Sequence, residues 1–297
     1  MAKSNKTLQL FGGDWTDDKL DRLRQYMHAY NTALKNMPFT RIYVDAFAGT
    51  GFRVQRQEQF HLPDLFEEAN DKDSQAFLKG SAKLALEVEP PFHKFIFVET
   101  DDAKALELET LQAQHPAQAS QISIIRNDAN VFLQEFCANQ DWRGHRAVVF
   151  LDPFATEVAW QTIESIAKTQ SIDVWILFPL MAVNRLLARD AKKSFRRRLD
   201  TIFGTTEWFE RFYQTVSMED IFGQPLQVVR KACDFKGIGD FYESRLRTIF
   251  VDVASERCVW ENSRGSPLFQ LFFAVGNPKG APIAVRIANS ILKNKDR

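Results

Sequence analysis

The sequence predicts an α/β protein built on a mostly parallel sheet, and three observations carry that prediction. From residue 41 to residue 179, short apolar segments alternate with amphipathic segments of helical length. The apolar segments are nearly continuous rather than alternating, which is the pattern of strands buried on both faces. Two further apolar segments, 257–262 and 268–275, are joined by the short turn "SRGSP". That arrangement predicts an antiparallel hairpin completing the sheet.

The elements follow in order. Residues 15–36 read as a helix, with Thr16 as N-cap, Asp17 and Asp18 at the positive end of the dipole, and Leu20, Leu23, Met27, Tyr30 and Leu34 at helical spacing. "RIYVDAF" (41–47) is a strand. Residues 52–79 are polar and mixed in charge, and read as an excursion. A short helix at 80–88 is ended by Pro90 and Pro91. Strands at 94–99, 122–126, 147–154 and 173–179 then alternate with helices at 102–114, 130–139 and 159–169. From 180 to about 255 the pattern is mostly helical, and a last helix follows the hairpin. The expected organisation is a core of residues 1–179 and 256–297, interrupted by a helical insert at 180–255 that is placed to recognise a substrate.

Composition narrows the function classes. The 297 residues are 45% hydrophobic and 26% charged, with Lys plus Arg equal to Asp plus Glu at 38 each, so any basic surface must be local. The three cysteines, Cys137, Cys233 and Cys258, form no CxxC pair, and the five histidines show no ligand spacing; no metal is expected. Neither a signal-peptide core nor an apolar run of about 18 residues is present, so the expected location is cytoplasmic and no membrane is expected as partner.

The loop after the first strand is the first candidate site. In an open α/β sheet, ligands bind beyond the carboxyl ends of the strands, where strand order reverses. "YVDAFAGTGF" places Asp45 at the strand end, then Phe47, Gly49 and Gly51. Closely spaced glycines let backbone approach a ligand. A dinucleotide fingerprint wants a third glycine where Val54 stands, which disfavours a nicotinamide oxidoreductase. The loop resembles the first motif of S-adenosylmethionine-dependent methyltransferases, and the five parallel strands with a terminal hairpin resemble the Rossmann-like class I layout, a seven-stranded sheet. That resemblance implies an acid near the methionine ammonium, a second acid, Glu99, for the ribose hydroxyls at the end of the second strand, and a third polar group, Asp128, near the adenine amine.

"FLDPF" ends the fourth strand, where amino-methyltransferases carry a [DNS]-P-P-[YFW] motif. An exocyclic base amine is a poor nucleophile because its lone pair is delocalised. Asp152 and the Pro153 carbonyl would accept the two amine hydrogens, and Phe154 would stack on the flipped base. One proline stands here instead of two, so the aromatic comes one position early. No cysteine follows Pro153, which sets aside methylation at a ring carbon, and neither a G-x-S-x-G elbow nor a Walker loop occurs.

Residues 184–200 carry Arg185, Arg189, Lys192, Lys193, Arg196, Arg197 and Arg198 against Asp190 and Asp200, a local charge of +5. With Leu186, Leu187, Phe195 and Leu199 on a buried face, the expectation is one helix with a basic ridge suited to DNA or RNA phosphates. The segments "GGDWTDDKLDRLRQYMHAYNTALKN", "YVDAFAGTG", "FLDPF" and "DVWILFPLMAVNRLL" together resemble the three-Cys-motif partner protein family (TcmP), over most of the chain from about Asp14. The resemblance implies a protein partner bearing a three-cysteine, radical-S-adenosylmethionine-like motif. It leaves open a methyltransferase acting on an adenine-N6-like amine and a non-catalytic scaffold for that partner.

Overall fold

The structure, a computed structural model, describes residues 13–48, 80–153, 156–187, 193–219, 222, 224–262 and 264–293. The first helix, α1 (Gly13–Leu34), leads into β1 (Thr40–Asp45). A helix at 80–87, α2, precedes β2 (Lys94–Val98), α3 (Asp102–Gln114), β3 (Ile122–Ile125), α4 (Ala129–Asn139), β4 (His145–Leu151), α5 (Trp160–Lys168) and β5 (Ile172–Phe178). Then come α6 (Leu180–Leu186), α7 (Lys193–Phe203), α8 (Trp208–Phe212), β6 (Tyr213–Glu219), β7 (Pro225–Lys231) and α9 (Phe235–Arg247). The chain closes with β8 (Asp252–Val253), β9 (Cys258–Glu261), β10 (Pro267–Val275) and α10 (Ala281–Lys293).

The strands run β3-β2-β1-β4-β5-β10-β8, with β9 also paired to β10. The first five are parallel, and β10 is antiparallel to β5, β8 and β9. This is the mostly parallel, Rossmann-like sheet of the class I methyltransferase layout. The expected count of seven becomes eight because β8, two residues long, is too short to show in the sequence. Strand order reverses between β1 and β4, which places the crevice for a ligand at the ends of those two strands.

Pleating sends alternate residues into two separate cores. Ile42, Val44, Val149 and Val174 face α4, α5 and the α6–α9 region. Tyr43, Phe97, Val148, Phe150 and Trp175 face α1, α2, α3 and α10. Burial on both faces explains why the strands read as unbroken apolar runs.

Two expectations for 180–255 are corrected. The stretch is not only helical: β6 and β7 form a separate two-stranded antiparallel sheet, and β8 belongs to the main sheet. The basic stretch 184–200 is not one helix. α6 ends at Leu186, and α7 begins at Lys193. α6 packs on β10 and α9 whereas α7 packs on α5, so one straight rod cannot serve both. α7 stops at Gly204, whose φ of +64° suits the left-handed C-cap and whose missing Cβ would meet the Trp160 ring at 1.9 Å. No helix among the described residues is long and apolar enough to cross a membrane.

Candidate functional site

Tyr43 faces the α1 side of the sheet, and Asp45, two residues on, faces the same way. Asp45 is buried, and its Oδ2 accepts from the Ser81 hydroxyl of α2 at 2.8 Å. Burial lifts its carboxyl to about 7; neighbouring Asp152 adds to the rise, while Ser81, the Phe47 N–H and the Lys19 charge oppose it. Asp152 lies just beyond β4, two residues past Phe150, which is the register partner of Asp45. Its Oδ2 is held by the Lys19 ammonium of α1 at 2.6 Å. Both partners are buried, Lys19 at 3% exposure and Asp152 at 7%. Burial lowers the lysine's proton affinity, and the two carboxylates raise it.

Lys19 and Ser81 were not singled out from the sequence. The signal for Lys19 was present: it precedes Leu23, Tyr26 and Met27 by four, seven and eight residues, and so stands on the apolar stripe of α1. A lysine there is either misplaced or paired. Ser81 carried no comparable signal.

Glu99 follows β2 and is 3% exposed. Its Oε1 accepts from the Asp101 N–H at 2.6 Å and from the Thr100 hydroxyl at 3.4 Å. Its Oε2 is buried with no hydrogen-bond partner among the described residues. Burial raises the carboxyl's affinity for a proton, against the Asp101 N–H and the Lys104 charge. A buried carboxylate oxygen without a donor is costly, and a ligand hydroxyl is a group that would satisfy it. On that observation the residues fit a ribose-bearing cofactor.

Asp128 is exposed and caps α4, with Oδ1 accepting from the Asn130 and Val131 N–H groups at 2.8 and 3.1 Å. The cap accounts for an aspartate at this position by itself. Phe47, in the turn after β1, is half-buried against the α4–α5 core. Pro153 is buried beside a crevice of about 10 Å³ lined also by Thr156, Val158, Phe178, Pro179 and Tyr242. That is room for about one water and none for a base. Gly49, Gly51 and Phe154 lie outside the described residues, as do Arg189, Lys192 and the side chain of Lys193.

Of the other basic residues, Arg185 is half-buried on α6. Arg196, Arg197 and Arg198 are exposed on α7. The Arg196 guanidinium lies over the Phe209 ring, 3.9 Å from its centroid, and Arg198 Nε donates to Thr156 Oγ1 at 2.9 Å. The described residues contain no cluster of three or more potential metal ligands.

No family model and no curated protein matches the chain. Among solved structures it is similar to a Legionella pneumophila protein of the DUF519 family, at 11% identity and TM-score 0.42, covering 92% of this chain and 91% of that one. It is also similar to the methyltransferase domain of bacterial CtHen1-C, at 12% identity and TM-score 0.35, covering 86% and 99%. A third similarity is to yhhF of Escherichia coli, named as a proposed methyltransferase, at 12% identity and TM-score 0.30, covering 71% and 87%. These likenesses concern the fold alone, and the strand order and register carry the assignment of this chain to a mostly parallel α/β sheet of the class I methyltransferase type.

Proposed function

We propose that this chain is an S-adenosylmethionine-dependent methyltransferase whose acceptor is an exocyclic amine of a nucleic-acid base, adenine N6-like. The observation that carries the reading is the orphaned Oε2 of Glu99, buried at the end of β2, the strand next to β1, whose end borders the point where the sheet order reverses. Glu99 would accept from the ribose hydroxyls, Asp45 would face the methionine ammonium, and Phe47, Gly49 and Gly51 would pass beneath the methionine arm. Asp128 would offer its remaining carboxylate oxygen to the adenine amine while capping α4. The cofactor, when bound, supplies a methyl group on an electrophilic sulfonium. The chain's own contribution is to align the acceptor amine: Asp152 and the Pro153 carbonyl accept its hydrogens and Phe154 stacks on the base. Alignment of this kind supplies much of the rate in such a reaction.

A second reading is favoured by one observation: Asp152 is already paired with Lys19. On that reading the chain is a non-catalytic scaffold for a three-Cys-motif, radical-S-adenosylmethionine-like protein, in line with its resemblance to the TcmP family. Two measurements separate the readings. Calorimetric titration with S-adenosylmethionine should give saturable binding that Glu99→Ala abolishes and NAD does not reproduce. Tritium-methyl transfer to RNA and DNA should then occur with the natural chain and be lost in Asp152→Asn, with cofactor affinity kept. Binding without transfer favours the scaffold; loss of binding in neither variant defeats the assignment of Glu99.

A further inference from the structure

The β6–β7 hairpin has no role in the site described above. Its outer residues lie in water on both faces: Gln214, Thr215, Val216 and Ser217 on β6, and Gln227, Val229 and Arg230 on β7, are exposed. A two-stranded sheet is marginal by itself in water. This one is fixed at its base, where the Ala232 N–H donates to the Phe212 carbonyl at 2.8 Å and the Lys231 ammonium donates to Asn184 of α6. It is therefore held out from the body while keeping apolar surface in solvent, Val229 at 45% exposure among it.

The hairpin base also continues a line of contacts from α7. Arg196 covers Phe209, and Phe209 stacks on Tyr213 with centroids 4.9 Å apart and planes 21° apart. Tyr213 is the first residue of β6, and Thr215 and Val229, paired with each other, follow it on the same face. Two residues on from Arg196, and so on a different side of α7, Arg198 reaches Thr156, four residues past Asp152. The single carboxylate of α7, Asp200, is turned inward to the Trp208 N–H at 2.7 Å. The exposed charged side chains described on α7 are then Arg196, Arg197 and Arg198.

We infer that the exposed arginines of α7, the half-buried Phe209 ring beneath Arg196 and the adjoining exposed face of the β6–β7 hairpin, anchored by the buried Tyr213, form one track for single-stranded nucleic acid that leads to the end of β4. Arginines meet phosphates; a guanidinium over a ring and an exposed apolar strand meet unstacked bases. A single strand fits the contact chemistry better than a duplex, because bases in a duplex offer no faces. The inference rests on the base-amine reading above, which also requires an unpaired or extruded base.

The test is fluorescence anisotropy with the full chain and three labelled probes: an oligouridine RNA of about 20 nucleotides, an oligothymidine DNA of the same length and a DNA duplex of matching length. Single strands should bind at least roughly tenfold tighter than the duplex, with a log–log salt slope near −2, about 0.7 for each of three phosphates. Replacing Arg196, Arg197 and Arg198 together with glutamine should flatten that slope. Val229→Asp should weaken binding by roughly tenfold, the size expected for one lost stacking or apolar contact. Preference for RNA or for DNA identifies the natural strand, and either supports the track. Equal or tighter duplex binding, no binding to any probe, or an unchanged slope in the triple variant overturns it. Cofactor calorimetry on the same samples keeps the two readings apart. Cofactor binding without strand binding defeats the track alone; strand binding without cofactor binding defeats the methyltransferase reading alone.

Discussion

Lys19 and Asp152 are each worth little to stability as a pair and a great deal as a broken pair. Taking both charges out of water consumes most of what their attraction returns, whereas removing one leaves the other buried and uncompensated. Lys19→Met should therefore cost about 3–5 kcal/mol in urea unfolding, and Lys19→Met combined with Asp152→Leu should recover most of it. A double variant as unstable as the single one would show that the ion pair is not the reason. Asp45 sets a different signature. Its carboxyl is pushed up to about 7, well above the unfolded value near 4, so the folded chain binds the extra proton between those limits. Stability must then fall as pH rises from about 4 to about 7 and level off above. Asp173, also lifted to about 7 by burial although Tyr26 donates to it, adds to the same slope. Asp45→Asn should flatten part of that slope and raise the melting temperature at pH 8 (the pH above the window). A melting temperature with the same pH dependence in the variant would place the titration elsewhere.

At the scale of elements, α1 is held by more than its apolar stripe. Tyr26 donates to Asp173 at 2.8 Å, Trp260 Nε1 donates to Asp18 at 3.0 Å, and Arg22 donates to the Ile291 carbonyl at the end of α10. These bonds tie the helix to both β5 and the C-terminal helix, so the Lys19 ammonium is delivered on a fixed rod. Tyr26→Phe removes one donor and leaves Asp173 buried, and should cost about 1–3 kcal/mol by denaturant titration. The end of α7 is equally constrained. Gly204→Ala would place a methyl inside the Trp160 ring and strain a positive φ, and should destabilise by at least about 2 kcal/mol. The basic residues of 184–200 were legible as a cluster, but their division between α6 and α7 was not. Propensity allows one helix through that stretch; the different packing surfaces of α6 and α7 break it.

For the whole molecule, a ligand that binds only the folded chain raises its stability by mass action. At a hundredfold excess over Kd the gain is about 2.7 kcal/mol, which for a chain of this size means roughly 5 °C or more in Tm. S-adenosylmethionine should produce that shift, Glu99→Ala should lose it, and NAD should leave Tm unchanged. The prediction belongs at this scale because the crevice is made by three strands that meet only in the folded sheet: β1 supplies Asp45, β2 leads to Glu99 and β4 leads to Asp152.

The sequence by itself determined the class of fold, the succession of strands and helices through 179, and the terminal hairpin. All of these depend on local period and on turn and cap chemistry, which neighbouring residues encode. Asp45, Glu99 and Asp152 do stand at or just past strand ends, where the apolar runs stop, although β1 and β4 end at Asp45 and Leu151, short of the expected 47 and 154. Only the tertiary structure decided what those acids meet. Lys19 is 133 residues from Asp152 and Ser81 is 36 from Asp45, and no local pattern brings such pairs together. The β6–β7 hairpin is not legible in the sequence for the opposite reason. Its strands are mixed and exposed on both faces, so they lack the buried face whose periodicity makes a strand readable.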